Sequence, residues 1–384
     1  MRKKLAIIGG GVMASAFGAA CRRIGYESHY FTLSDGKVTE DEPDFYHEVN
    51  IFDVDEIVRI CKEVGIDGVV ATTELSVPIT AQVADALDLP GNPVDVAKVI
   101  TDKYRNRQCI RDLKHLHSPL YIEASDIETI KNTGIPYPII LKPVNLGGKR
   151  GLSVVRDEEE LESAFEYAAK SLKPGQKPLI IAEQFLDRGV ECSVESISIN
   201  GNHSIIQITQ KDSGGAPHCV ELGHHQPADI SPADWAEVVA GVTDGLTAIG
   251  LTDGSCHTEI KIIDGKVYLI EFNARPGGDC ITSRLVILST GFDYFAALAK
   301  AAAGELTSID TSNLAKSHSG LYYVVKQTEY LKEIFNNCQN EDWCIEKHFV
   351  TDYLTELTHN DLEHTNYFIY ASKDGDPVKK NLKH

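Results

Sequence analysis

The sequence predicts an α/β protein: a parallel sheet flanked by helices over the first hundred residues, then a second region of paired strands and amphipathic helices. Three observations carry this. Up to about residue 100, short apolar runs alternate with stretches of helical spacing. Beyond it, alternating strands double back at Asn200-Gly201 and Asp264-Gly265. Two glycine-rich loops each follow an apolar strand. Strands separated by helices of that length imply crossover connections, and hence a parallel sheet covered on both faces.

Taken in order, Leu5–Ile8 reads as a buried strand, Ala14–Arg23 as a helix, Ser28–Leu33 as a strand, Val54–Val64 as a helix, Gly68–Thr72 as a strand and Ile79–Leu87 as a helix. Met1-Arg-Lys-Lys before an apolar stretch mimics a signal peptide, but Gly9-Gly10-Gly11 would break its helix, so the segment reads as structure. A charged helix over Asp102–Leu113 opens the second region. Strands at Tyr137–Leu141 and Leu152–Val155 flank a glycine loop, and Glu158–Ser171 is a helix with an acidic first turn. Leu179–Glu183 and Glu191–Ile199 are strands, 203–209 the return strand, Trp235–Ile249 a helix, 256–273 a hairpin and Phe292–Ala303 an apolar helix. Gly320–Val325 and Asn366–Ser372 are aromatic strands in a tail that offers little chemistry.

Composition narrows the function. Lys and Arg number 37 against 56 Asp and Glu, a formal charge of −19, which disfavours a nucleic-acid coat or an anionic-membrane binder. No apolar run reaches the roughly 18 residues of a membrane span. Nine cysteines without a C-x-x-C pair read as reduced, mostly buried thiols, and so as a cytoplasmic chain.

Four motifs carry candidate chemistry. Gly9-x-Gly11-x-x-Ala14, with Asp35 after the second strand, fits a Rossmann-type dinucleotide fingerprint, although any tight strand-to-helix turn selects glycine. Lys142 closes an apolar strand just before Gly147-Gly148-Lys149-Arg150-Gly151, placed to reach phosphate oxygens that a glycine loop wraps with N–H groups. In His257-Thr258-Glu259-Ile260-Lys261 and Glu271-Phe272-Asn273-Ala274-Arg275, period-two spacing puts Glu259 with His257, and Glu271 with Asn273 and Arg275. Two carboxylates and an amide oxygen form an oxygen-only donor set suited to magnesium. A two-residue turn at Asp264-Gly265 would set Glu259 opposite Ile270 and put the two acids on opposite faces, so a bulged three-residue turn is expected. Finally, Glu221-Leu222-Gly223-His224-His225-Gln226, with His218 and Cys219, invites zinc, but its spacing matches no closed tetrahedral set and it reads as a mobile loop bordering substrate.

In this order over 103–279, these segments resemble the ATP-grasp superfamily of carboxylate–amine ligases. Ile181-Ala182-Glu183-Gln184-Phe185-Leu186, His257-Thr258-Glu259 and Asn273-Ala274-Arg275 look most like the L-amino-acid ligases that make dipeptides. The resemblance implies a Rossmann-like domain over 1–100, an ATP-grasp domain over 101–305 with a lid at about 115–186, and a closing segment over 306–384. It implies that Lys103 and Lys142 contact ATP phosphates under Gly147, Gly148 and Gly151. Glu183 would mark the adenine hinge, Gln184, Phe185 and Leu186 would line it, and Glu191 would take the ribose. Glu259, Glu271 and Asn273 would hold Mg2+, with Mn2+ as an alternate. Arg275, Gly277 and Gly278 would orient acyl phosphate and substrate, Glu195 and His224 would border the substrate, and Lys142, Arg275 and His257 would serve catalysis.

The expected reaction joins an amino-acid carboxylate to an amine through an acyl phosphate, releasing ADP and phosphate. The substrates are small amino acids or amines, and a homodimer is compatible. Alternatives are a ligase of sugar-phosphate or purine-precursor amines, an NAD(P)-dependent oxidoreductase on the first glycine loop, and a nucleotide sensor.

Overall fold

The computed structural model of the protein describes residues 2–33, 43–146, 150–172, 177–216 and 219–382. Its first sheet is parallel, with strand order Phe45–Glu48, Glu27–Thr32, Lys4–Ile8, Gly68–Ala71. Both faces are apolar. Leu5 and Ile7 pack with Phe17 of helix Val12–Ile24 and with Phe295 and Leu298 of helix Tyr294–Ala302. Ala6, Ile8 and Phe31 pack with Ile57 and Cys61 of helix Val54–Val64 and Val83 of helix Val77–Ala86. A helix from the second half of the sequence thus covers one face of the sheet made by its beginning.

The Gly9 turn owes its glycine to packing: a Cβ there would lie 2.5 Å from Thr72 Oγ1. Asp35, the acid expected to accompany that turn, lies outside the described residues. The nine cysteines form no disulfide with one another, and burial pushes the Cys61, Cys192 and Cys256 thiols up to about 12. No single described helix is long and apolar enough to cross a membrane.

The charged helix expected at Asp102–Leu113 is shorter, ending at Cys109. Helix Val94–Ile100, which apolar spacing did not reveal, precedes helix Lys103–Cys109, whose start is set by Asp102 accepting the Arg105 N–H at 3.0 Å. A small antiparallel sheet follows, ordered Tyr121–Ala124, Ile180–Gln184, Ile139–Pro143, Ser153–Val155, with helix Glu158–Lys170 packed on it. The third sheet is eight-stranded and antiparallel. It runs Lys266–Asn273, Gly254–Ile263, Val190–Ile199, Asn202–Ser213, Glu221–Gln226, His318–Tyr323, Tyr367–Ser372, Cys344–His348. The tail therefore extends the large sheet by three strands.

Two expectations are corrected by this sheet. Residues 221–226, read as a mobile loop, are an interior strand paired with Gln210–Ser213 on one side and Ser319–Tyr322 on the other. Alternation then sends His224 and His225 to opposite faces, so that their adjacency carries no shared ligand. The hairpin turn is also tighter than expected: Ile263 pairs with Lys266 across Asp264 and Gly265, whose φ of 50° and 74° mark a two-residue turn with both central residues left-handed. The bulge lies further down the ladder. Ile260 pairs with Leu269 and Glu259 with Glu271, leaving Ile270 as the extra residue.

His29 in the first sheet is 2% exposed, with Nδ1 3.0 Å from His47 Nε2 and Nε2 2.9 Å from Glu27 Oε1. Burial lowers the pKa of both imidazoles, against the pull of Glu27 on His29. The unfolded chain, with histidine near about 6.5, then takes up protons first as pH falls. Stability should therefore drop between pH 7.5 and 5.5, and His29→Gln should flatten that drop in thermal denaturation. An unchanged slope would reject the assignment.

Candidate functional site

Two adjoining cavities lie between the small sheet and the large one. The first, about 130 Å3, is lined by Lys103, Arg107, Lys142, Arg150, Glu183, Gln184, Phe185, Leu186, Glu191, Glu259, Lys261 and Glu271 among others. The second, about 570 Å3, is lined by Glu74, Arg150, Lys211, Glu221, His257, Glu259, Glu271, Asn273, Arg275, Gly278, Asp279 and the tail residues Thr358, His359 and Asn360. Arg150, Leu152, Glu259 and Glu271 belong to both walls, making one continuous cleft. The tail, expected to carry little chemistry, thus reaches it.

At the junction the bulge sets Glu259 directly opposite Glu271, and His257 opposite Asn273. Two lysines supply counter-charge. Lys103 Nζ lies 2.6 Å from Glu271 Oε1 and donates to Leu146 O at 2.9 Å. Lys211 Nζ lies 3.0 Å from Glu259 Oε1 and 3.2 Å from Glu221 Oε1. Burial pulls both ammonium groups down, but the neighbouring carboxylates outweigh it and leave both pKa values raised. Across the cleft, burial and then Glu271 raise the Glu74 carboxyl. An oxygen donor set of Glu259, Glu271 and Asn273 in an acid-rich cleft fits magnesium in chemistry and charge.

His257 is clamped. Its Nδ1 lies 3.0 Å from both Glu195 oxygens and its Nε2 3.3 Å from Glu259 Oε1. Burial lowers its pKa, but Glu195 and Glu259 outweigh that and leave it raised. Glu195 is fully buried behind His257 and does not line the cleft. Gly277 also packs here: a Cβ would come within 2.6 Å of His257 Nδ1 and 2.8 Å of Glu195 Oε2. Gly278, by contrast, lines the cleft. Fully buried His224 directs Nε2 toward Glu221 Oε2 at 3.4 Å and Asp279 Oδ2 at 3.6 Å. The three ligand atoms lie within 4.8 Å of one another, a cluster that spacing along the chain did not show.

At the other end, Glu183, expected to mark the adenine hinge, lines the smaller cavity. Its carboxylate sits between Arg107 Nε at 2.6 Å and Lys142 Nζ at 2.5 Å. Burial alone would raise Glu183, but the two cations hold it down to about 2. Lys142, fully desolvated, is lowered despite Glu183. Gln184 and Phe185 spend their N–H groups on Leu120 O and Pro138 O, and Lys261 donates to Leu186 O at 2.7 Å. Burial raises the pKa of Glu191, 3.9 Å from Lys261. Gly151 packs against Ser171 and Pro143, anchoring its loop, while Gly147 and Gly148 lie outside the described residues.

Sequence reasoning missed Arg107, Lys211 and Glu74. Arg107 stands one turn after Lys103 on the same helix face, which the i,i+4 spacing shows. Lys211 continues the polar alternation of Gln207 and Thr209. No pattern marks Glu74.

This fold and cleft define the ATP-grasp architecture, and residues 135–284 match the ATP-grasp domain family. The chain thus carries an ATP-grasp domain over residues 135–284. Among solved structures it is similar to an L-amino acid ligase from Bacillus licheniformis, at TM-score 0.82 and 23% identity over 100% of this chain and 96% of that one. Among curated proteins it is similar to the carbamoyl phosphate synthase large chain of Ralstonia nicotianae, 24% identical over 86% of this chain and 32% of that protein. It is also similar to a formate-dependent phosphoribosylglycinamide formyltransferase of Chlorobaculum tepidum, 30% identical over 44% of each. A fourth likeness is to the alanine–anticapsin ligase of Bacillus subtilis, 25% identical over 59% of this chain and 52% of that one. The chain thus spans from a third to about half the length of these curated relatives.

Gly277→Ala tests the packing at His257. Because both groups it would meet are buried, it should lower stability by about 1–3 kcal/mol in denaturant unfolding. Wild-type stability would show that the pair can give way.

Proposed function

We propose that the protein is an ATP-dependent carbon–nitrogen ligase that joins an amino-acid carboxylate to an amine, forming ADP. The observation that carries this reading is the Glu259–Glu271 pair, set face to face with Asn273 and Arg275 where the two cavities meet. The smaller cavity would hold the nucleotide, with Gln184, Phe185 and Leu186 along its base and Glu191 toward the ribose. Lys103 and Lys142 would stand at the phosphates. Glu259, Glu271 and Asn273 would hold magnesium, with manganese as an alternate. When bound, that cation would neutralise charge on the transferring phosphoryl group.

Arg275 supplies a planar cation for the substrate carboxylate and for the acyl phosphate it becomes. The acidic far end, with Glu221, His224 and Asp279, suits the ammonium of an amino acid. The amine then attacks the acyl carbon and phosphate leaves. His257, between Glu195 and Glu259 and raised in pKa despite its burial, is placed as a positive charge rather than as the base for that amine. The small sheet acts as the lid that keeps water from the acyl phosphate. The L-amino acid ligase and alanine–anticapsin ligase likenesses support an amino acid as acyl donor. A second reading, a phosphorylated purine-precursor amine as substrate, is favoured by the formyltransferase likeness and by Arg150 at the border of both cavities.

ADP and phosphate release measured over a panel of amino-acid pairs should depend on the pair. Turnover only with phosphorylated amines would select the second reading, and no amine dependence at all would reject both. Hydroxylamine should trap the activated carboxylate as a hydroxamate. Glu271→Ala should cut turnover by at least about 100-fold, the scale of losing one charge-stabilising group, with the circular dichroism spectrum unchanged. Full activity would remove the acid pair from the mechanism.

A further inference from the structure

Arg107 is 1% exposed, at the C-terminal end of a short helix, and lies on the wall of the smaller cavity. Its guanidinium spans two sheets. Nε donates to Glu183 Oε1 of the small sheet at 2.6 Å, and Nη2 donates to the carbonyl of Ile270 in the large sheet at 2.7 Å. Nη1 is buried and makes no hydrogen bond to the protein. Ile270 is the extra residue of the hairpin, the one on which the meeting of Glu259 and Glu271 depends.

A bulged residue sits where the ladder is locally disrupted, and its peptide needs a partner from elsewhere. Here a guanidinium provides it through a charge-assisted bond, about twice as strong as a neutral one. Were Ile270 drawn back into regular pairing, it would face Glu259, and Glu271 would turn to the opposite face of the sheet. One helical turn before Arg107, Lys103 grips the Glu271 carboxylate at 2.6 Å. The same helix therefore holds the bulge by its backbone and the displaced acid by its side chain.

We infer that Arg107 is a positioning residue of the metal site: by capping the Ile270 carbonyl it fixes the register that brings Glu259 and Glu271 to one face. This rests on the acid pair being the cation site proposed above. A lysine at 107 keeps the charge beside Glu183 but cannot serve Glu183 and Ile270 together in a fixed fork. Groups that orient metal ligands typically cost about 10–100-fold in metal affinity when lost.

The test is Mn2+ binding to the full chain in the presence of ADP, with free ion read by electron paramagnetic resonance, so that no turnover is needed. Arg107→Lys should weaken Mn2+ by about tenfold or more, toward the value for Glu271→Ala. Arg107→Gln, which retains a donor without charge, gives the same readout should the lysine variant not fold. Arg107 variants that lose thermal stability yet bind Mn2+ as wild type does would overturn the inference and leave Arg107 a buried structural ion pair. Wild-type binding that Glu271→Ala does not alter would instead sink the metal reading itself.

Discussion

Side chains on a β-strand alternate, and a two-residue turn fixes which residues face one another; the cleft depends on how that parity is broken. With Asp264 and Gly265 as the turn, regular pairing would carry Glu259 and Glu271 to opposite faces of the large sheet. One extra residue, Ile270, reverses the parity for everything beyond it. Glu271, Asn273 and Arg275 shift together, so a single irregularity places three side chains of the cleft at once. The turn itself keeps its own preferred geometry, because a bulge in mid-ladder corrects the register without a longer loop.

Bringing two carboxylates face to face creates an electrostatic cost, of order 4 kcal/mol for unit charges 4 Å apart at an effective dielectric near 20. Lys103 and Lys211 offset it from opposite sides, one from a helix and one from an interior strand. Their raised pKa values show that the acids hold their protons in place despite burial. The far end of the cleft repeats the logic with weaker compensation: Glu221 shares Lys211 with Glu259, and the carboxylates of Glu221 and Asp279 flank His224. The cleft is therefore graded, with strong cations at the nucleotide end and acids toward the substrate end. That polarity suits a polyphosphate on one side and an ammonium on the other.

Much of this was legible from periodicity. Helix Val54–Val64 and strand Glu191–Ile199 follow from apolar spacing, and the alternation of Glu271, Asn273 and Arg275 marks three residues that line one cavity. What periodicity cannot show is register between distant segments. The parity problem of Glu259 and Glu271 was visible, but the position of the bulge was not, because Arg107, which bonds Ile270, lies on a helix far earlier in the chain. For the same reason the partners of Glu183, on a helix and a neighbouring strand, did not show in its own segment. His224 looked like part of a loop because Glu221-Leu222-Gly223-His224-His225-Gln226 is polar on both faces. A strand buried on both sides by ionisable groups loses the apolar alternation that identifies strands.

The Arg107–Glu183–Lys142 chain then joins what parity arranges to what the nucleotide needs. Lys142 belongs to the small sheet and Glu271 to the large one, so the lysine proposed for the phosphates and the acid proposed for the cation sit on different sheets. Glu183 binds Lys142 to Arg107, and Arg107 is bonded in turn to Ile270, next to Glu271. A buried charge chain of this kind adds little net stability over an apolar replacement, while losing one member leaves an uncompensated charge. Its physical worth lies in geometry: the fork of one guanidinium, rigid and planar, fixes the spacing between two sheets where a flexible contact would let it drift.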